Sequence, residues 1–248
     1  MGEKECAGKK KHKNWENIFY GSHPKECLDI FPAKKPDAKT LIFIHGGYWH
    51  LLDKALFHFL APSFLARNIN IVFINYPLAP EASIDMIVSS CQRAIQWLHD
   101  NIIRYNGSPM EMYVMGHSAG AHLATMLLTA EHIKYLKGII SLSGLFRLEP
   151  VMLSFLNGIL LMNIETAEKN SPVLFKSLNK CPIILATGIN ETDEFKDQSL
   201  EFYESRRNED RVTELLMVKD RNHYSILDEI TERNSLLASA IFRLMDIG

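Results

Sequence analysis

A chain of 248 residues with 47% hydrophobic and 23% charged side chains is long enough to bury the core of one α/β domain and has the make-up of an ordinary globular protein. Its 27 Lys and Arg against 29 Asp and Glu leave a formal charge of −2, so no strong field is available to hold nucleic acid or an anionic membrane. The longest apolar stretch, Val151 to Ile164, is interrupted by Ser154, Asn157, Gly158 and Asn163 and is too short to span a bilayer.

The chain begins with a polar segment, residues 1–19, whose one basic run, Lys9-Lys10-Lys11-His12-Lys13, reads as a solvated tail. Met1 to Asn17 contains no apolar run of the kind a secretory signal needs, so the expected location is the cytoplasm. The cysteines Cys6, Cys27, Cys91 and Cys181 are scattered with no C-x-x-C pair. Neither a zinc site nor a redox motif is expected, and no metal or cofactor is called for. Residues 20–248 read as a single domain.

Glu26 to Phe31 has the pattern of a short strand closed by the turn-rich Pro32–Asp37. Thr40 to Ile44 is almost continuously apolar, as a strand buried on both faces of a parallel sheet should be. Leu56, Leu60 and Phe64 form a helical stripe over Asp53–Ala66, and Ile69–Ile74 is again a buried strand. The prolines of Tyr76-Pro77-Leu78-Ala79-Pro80 make that stretch a loop. From Ser83, the expected N-cap, the apolar positions Ile84, Ile87, Val88, Cys91, Ile95, Leu98 and Ile102 step by threes and fours along one long helix. Further strands are predicted at Met112–Met115, Lys137–Ser143, Pro182–Thr187 and Val212–Val218. Helices are predicted at Phe195–Arg207 and, with the stripe Ile226, Ile230, Leu237, Ile241 and Leu244, at the C-terminus. Between them, residues 145–180 are irregular. The apolar part, Val151 to Ile164, is open to two readings: a helix packed on the sheet, or part of a small cap over the site. The alternation of strand and helix predicts a mostly parallel central sheet with helices on both faces.

Chemistry concentrates at Gly116-His117-Ser118-Ala119-Gly120, a G-x-S-x-G sequence between a predicted strand and an Ala- and Leu-rich helix. In that context it is a nucleophile elbow: a tight turn lifts the serine hydroxyl clear of the sheet at the start of a helix, whose dipole favours developing negative charge. Serine is a weak nucleophile at its free pKa and needs a base, itself oriented by an acid. In the order Ser, acid, His, only His223, in the polar loop Asp220–Tyr224, lies beyond the late strands. The acid has three candidates in the loop after Thr187. Glu191 stands three residues past Gly188, where this fold usually places it, with Asp193 as runner-up and Glu194 as a third choice. The oxyanion requires backbone donors. Ala119 follows the nucleophile, and Gly46, Gly47 and Tyr48 of His45-Gly46-Gly47-Tyr48-Trp49 form a glycine loop after an early strand. Trp49, His117 and Tyr224 are candidates for lining the substrate pocket.

The pair His45–Trp49 and Gly116–His122, with Asn75–Glu81 and Glu194–Ser199, resembles the kynurenine formamidase (arylformamidase) branch of the α/β-hydrolases, close to the hormone-sensitive-lipase-like carboxylesterases. The resemblance covers the chain from about Tyr20 onward. It implies the α/β-hydrolase fold, Ser118 as nucleophile, His223 as base, an oxyanion hole from the glycine loop and no cofactor. Glu191 departs from the family, which usually has aspartate there. The resulting expectation is a serine hydrolase that cleaves a small-molecule ester or N-formyl aryl amide through an acyl-enzyme, with a homodimer compatible with the sequence. The competing class is a non-catalytic α/β-hydrolase-like ligand-binding protein. An interfacial lipase is disfavoured by the absence of a long apolar lid.

Overall fold

In the computed structural model, which describes residues 14–176, 178–207, 213–232 and 234–247, eight strands, the first and last of them at the edges, pair into one sheet. They are β1 (Trp15–Phe19), β2 (Cys27–Phe31), β3 (Ala38–Ile44), β4 (Asn70–Ile74), β5 (Gly107–His117), β6 (Gly138–Leu142), β7 (Ile183–Gly188) and β8 (Thr213–Val218). Their order in one sheet is β1-β2-β4-β3-β5-β6-β7-β8. Strand β2 is antiparallel to both β1 and β4, and every other pairing is parallel. This is the α/β-hydrolase sheet.

The reason β3 has no polar face is now visible. Leu41 and Phe43 enter the core on one side with Ile140 and Ile241, and Ile42 and Ile44 enter the other with Ile95 and Leu123. The helices that cover these faces are α1 (Ala61–Leu65), α2 (Ile84–Asn101), α3 (Ala119–Met126), the short α4 (Glu149–Met152), α5 (Asn157–Leu160) and α6 (Ile164–Lys169), then α7 (Asp193–Arg207), α8 (Asp228–Thr231) and α9 (Leu236–Leu244). Ser83 caps α2, its hydroxyl accepting from Met86 N–H at 3.3 Å. Among the described residues no helix is long and apolar enough to cross a membrane.

Four local readings change. The polar tail expected over residues 1–19 ends earlier, because Trp15–Phe19 pairs with β2 as an edge strand; the basic run Lys9–Lys13 lies outside the described residues. The helix expected over Asp53–Ala66 divides into a 3₁₀ segment, Lys54–Leu60, and α1, because Pro62 lacks the N–H that would carry one α-helical ladder across. Val151–Ile164 is not one helix. Asn157 turns its side chain back on Met162, accepting from its N–H at 2.7 Å and donating to its carbonyl at 2.9 Å. Asn163 caps α6 by accepting from Thr166 N–H at 2.8 Å. Such side-chain bonds compete with helix. The C-terminal stripe is likewise divided between α8 and α9, with Asn234 left-handed at φ 63° and Ser235 capping α9.

Candidate active site

The residues singled out by sequence converge at the carboxyl ends of the parallel strands, where open α/β sheets hold their ligands. Ser118 leaves β5 with φ 57° and ψ −123°, a conformation costing about 1–3 kcal/mol that persists only when its surroundings over-determine it. Here they do. Ser118 N–H donates to Leu142 O at 2.8 Å, and its own carbonyl accepts from Ala121 and His122 N–H at 2.9 and 3.2 Å. The turn has no room for a side chain at Gly120, where a Cβ would lie 2.1 Å from the Ile44 carbonyl oxygen.

The glycine loop follows β3 and lies against this turn: a Cβ on Gly46 would sit 2.8 Å from His117 O and 3.0 Å from Ser118 Cβ. Gly47, Tyr48 and Trp49 have φ of 106°, 47° and 60°. This run directs the Gly47 carbonyl into the turn, where it accepts from His50 and Leu51 N–H at 3.1 and 3.0 Å. The N–H groups of Gly47 and Tyr48 are left without an acceptor among the described residues. The Ala119 N–H, first in α3, is one of the donors a helix cannot satisfy internally. Buried side chains fix the loop. His45 Nδ1–H donates to Gly46 O at 2.8 Å, and Tyr76 OH donates to His45 O at 2.8 Å.

Trp49 is fully buried and presents no surface to a pocket. Its indole N–H donates to His122 Nδ1 at 3.2 Å, and His122 Nε2–H donates to Asn170 O at 2.7 Å. With both nitrogens so engaged His122 is neutral, and burial pushes its pKa down to about 4. One imidazole thus joins the glycine loop, α3 and the chain beyond α6.

On the other side of Ser118, the loops after β7 and β8 are tied together by Asn190 N–H donating to Arg221 O at 2.9 Å. His223 Nδ1–H donates to Glu191 Oε2 at 2.8 Å. The other carboxylate oxygen, Oε1, accepts from Gly188 N–H at 2.7 Å and from Ser143 Oγ–H at 2.6 Å. Burial raises the Glu191 pKa, but the bonds from His223, Ser143 and Gly188 outweigh it and hold the carboxyl below its ordinary value. It is therefore an ionised, buried acceptor. The runner-up Asp193 points to solvent and pairs with Lys196 at 2.9 Å, and Glu194 accepts from Gln198 Nε2–H at 2.7 Å. Neither reaches the imidazole.

The bond to Glu191 places the His223 proton on Nδ1 and leaves Nε2 as the unprotonated nitrogen, an assignment made from the bonding network. Among the described residues no hydrogen bond engages this Nε2 or Ser118 Oγ. His117 backs His223 from behind. Its Nε2–H donates to His223 O at 2.7 Å and its ring lies 4.8 Å from the His223 ring. Burial, followed by the neighbouring imidazole, lowers the His117 pKa to about 4, so it stays neutral. His117 is buried, whereas Tyr224 is 80% exposed at the rim.

A cleft of about 280 Å³ is walled by Tyr48, Leu145, Val151, Phe155, Phe195 and Glu194 among others; Ser118 and His223 are not in its lining, and Phe195 is its link to them. The Phe195 ring lies 4.4 Å from that of His223. A larger hollow of about 370 Å³ beside Asp85 and Lys169 contains none of the candidate residues, so size alone does not mark the site. Sequence reasoning missed Ser143 and Phe195. The signal for Ser143 was its place at the end of a buried strand, the same position that makes Ser118 and Glu191 visible. Phe195 carried no signal beyond apolarity at a helix start.

Residues 28–143 match the family model described as BD-FAE. The chain is 31% identical over 241 residues to kynurenine formamidase from Danio rerio, covering 92% of this chain and 81% of that one. It is 32% identical over 124 residues to isoprenylcysteine alpha-carbonyl methylesterase from Arabidopsis thaliana, covering 49% of this chain and 29% of that one. Among solved structures, the esterase of Pyrobaculum calidifontis superposes with a TM-score of 0.80 at 14% identity, covering 96% of this chain and 87% of the other.

Proposed function

The chain belongs to the kynurenine formamidase family of α/β-hydrolases and is a hydrolase of ester or formamide bonds, and from that premise we propose that Ser118, His223 and Glu191 carry the reaction through an acyl-enzyme. His223 Nε2 takes the proton from Ser118 Oγ as the oxygen attacks the substrate carbonyl carbon. The carbonyl π pair moves onto oxygen, and the resulting oxyanion is held by the N–H groups of Ala119 and of Gly47 or Tyr48. Gly46 lets the loop come close enough. Collapse of the intermediate breaks the bond to the alcohol or arylamine, which leaves with the proton from His223. Water then gives a proton to His223 and attacks the acyl or formyl group, releasing the acid and restoring the serine.

The single observation that carries this reading is the bonding of Glu191: Oε2 on His223 and Oε1 on Gly188 and Ser143. That arrangement fixes the imidazole tautomer and favours the imidazolium that forms when the hydroxyl proton moves. Hydrogen bonds between nucleophile and base commonly tighten only when substrate is seated, and the unengaged Ser118 Oγ and His223 Nε2 suit that step. The substrate is a small carboxylic ester or an N-formyl aryl amide.

The test is covalent. A fluorophosphonate is expected to add once, at Ser118, by intact mass and peptide mapping, and Ser118→Ala should neither label nor turn over p-nitrophenyl acetate or N-formylkynurenine. Folded protein that fails to label, or Ser118→Ala that retains turnover, would remove the proposal.

A further inference from the structure

The loop that carries the Gly47 and Tyr48 N–H groups leaves β3 at His45 and ends where Asp53 caps the 3₁₀ segment, its carboxylate accepting from Ala55 N–H at 3.1 Å. Between those points it belongs to no strand or helix, so its position is set by what ties it down. The chain leaving β4 supplies three ties. Tyr76 OH donates to His45 O at 2.8 Å at the start of the loop, and Ala79 N–H donates to Trp49 O at 2.9 Å in its middle. Its end is held by Asn75, a buried residue. Asn75 Oδ1 accepts from Lys54 N–H at 2.7 Å, and Asn75 Nδ2–H donates to Asp53 Oδ2 at 2.7 Å.

A backbone N–H can only donate, so the amide oxygen must face Lys54 and the NH2 group must face Asp53. Burial raises the Asp53 pKa, but the bonds from Ala55, Asn75 and Lys25 outweigh it and bring the carboxyl down to about 2. An ionised acceptor therefore meets that NH2 group. Asn75 is itself fastened through its backbone, its N–H donating to Cys27 O at 2.9 Å and its carbonyl accepting from Tyr20 OH at 2.6 Å. Lys54 has a separate anchor, its buried Nζ lying 3.3 Å from Asp29 Oδ2. Removing the Asn75 carboxamide thus leaves the 3₁₀ segment attached while freeing the end of the loop.

From this arrangement we infer that Asn75 is a positioning residue for the oxyanion hole, its carboxamide fixing the end of the loop and through it the distance of the Gly47 and Tyr48 N–H groups from the Ser118 hydroxyl. The inference rests on the hydrolase reading above, in which those groups hold the oxyanion. Among the described residues no hydrogen bond of Asn75 goes to Ser118, His223 or Glu191, so its effect passes through the loop. Donors aimed at the place where charge develops count for more in the transition state than in the bound substrate.

Asn75→Asp tests it, because this change keeps an acceptor for Lys54 N–H but turns a carboxylate toward Asp53 in place of the NH2 group. For p-nitrophenyl acetate kcat should fall about tenfold or more, with KM within about twofold. The deciding readout is the Ki of phenyl trifluoromethyl ketone. Ser118 Oγ adds to its carbonyl carbon, the hydroxyl proton passes to His223 and the π pair moves onto oxygen, so the adduct carries the oxyanion itself. Ki should rise by a factor close to the fall in kcat. A Ki does not depend on the fraction of protein that is folded, so a merely structural role would lower the apparent kcat and leave Ki unchanged. Adding Asp53→Asn to Asn75→Asp exchanges the two partners, restores an NH2 group facing a carboxylate, and should bring Ki back to within about threefold of the parent. Asn75→Ala, which lacks both bonds, should raise Ki and gain nothing from Asp53→Asn. A Ki within about twofold of the parent in both Asn75→Asp and Asn75→Ala, or a raised Ki that the exchange leaves raised, would overturn the assignment. Failure of fluorophosphonate to label Ser118 in the unsubstituted protein would instead remove the hydrolase mechanism on which it rests.

Discussion

Ser143 Oγ lies 2.6 Å from Glu191 Oε1, while the other oxygen of the same carboxylate, 2.8 Å from His223 Nδ1, faces the imidazole. The two oxygens thus have separate work. One is anchored across the junction of neighbouring strands by Ser143 and Gly188, and the other is left to hold the His223 ring. Ser143 reaches over from the end of β6 with φ 51°, and its N–H donates to Ala186 O at 2.8 Å. The glutamate side chain is in this way secured through both of its oxygens.

Removing the carboxylate should therefore abolish the orientation of His223. Glu191→Ala is expected to lower kcat for p-nitrophenyl acetate by about 10²–10⁴-fold, whereas Asp193→Ala should stay within about twofold, since Asp193 contacts Lys196 at the surface. Ser143→Ala, which frees one oxygen but keeps the bond to His223, should cost about tenfold in kcat, in line with a charge-assisted hydrogen bond of about 1.5–3 kcal/mol that is partly replaced by water. Steady-state kinetics on the three variants decide it. A larger loss for Asp193→Ala than for Glu191→Ala would transfer the role of acid.

The pH dependence of stability has a defined sign. His45, His117 and His122 are each held near pKa 4 by burial, against an ordinary value of 6.5. Between about pH 6.5 and pH 4 the unfolded chain binds more protons at these positions than the folded one, so stability is full above that window and falls as pH drops through it. The slope is up to about 1.4 kcal/mol per pH unit for each histidine. Glu191, Asp29 and Glu26 have lowered pKa values, and their contribution is lost only below the ordinary carboxylate range. Urea unfolding at pH 7, 6 and 5 should therefore show a progressive loss, and His117→Gln should flatten it relative to the parent. A curve flat between pH 7 and 5 would contradict the burial of neutral imidazoles.

How much of this could be read from the chain depends on whether one residue's environment or several fixed the outcome. The run Leu41-Ile42-Phe43-Ile44 could only be a strand buried on both faces, and it is. The place of Glu191 beside the late loops was legible because a fixed offset from Gly188 ties it to the end of β7. Edge strand β1 was not, because Trp15–Phe19 leaves three of its five residues exposed and has no alternating apolar face. The segment 151–164 carried enough apolar residues for a helix, but bonds from Asn157 and Asn163 to nearby backbone decided against one. Trp49 read as a pocket residue because an aromatic beside a glycine loop is compatible with either face of that loop. Only the approach of His122, from 73 positions along the chain, turns it inward.

That inward turn predicts a graded response. Trp49→Phe keeps most of the buried ring but leaves His122 Nδ1 without its donor, and should cost about 1–3 kcal/mol of stability. With the indole gone as an anchor, the left-handed run from Gly47 to Trp49 is held less firmly, so kcat should fall while KM changes little. Urea melts and steady-state kinetics on one preparation separate the two effects. Unchanged stability would mean that the indole N–H is not bonded as described.

The approach of Gly46 to the elbow gives the sharpest of these expectations. A methyl group on Gly46 would meet His117 O at 2.8 Å and Ser118 Cβ at 3.0 Å. The first neighbour is backbone and the second belongs to a residue fixed at φ 57°, so the loop must yield. It can do so by moving away from the elbow, because its far side is a turn closed on the Gly47 carbonyl rather than a strand. Gly46→Ala should thus fold but hold the N–H groups of Gly47 and Tyr48 farther from the Ser118 hydroxyl. Losing one oxyanion donor typically costs about 10²–10³ in kcat, and a loss of that order is expected, with fluorophosphonate labelling slowed in parallel and the melting temperature within a few degrees of the parent. If Gly46→Ala turned over p-nitrophenyl acetate at the parental rate, these amides could not be the donors that stabilise the intermediate.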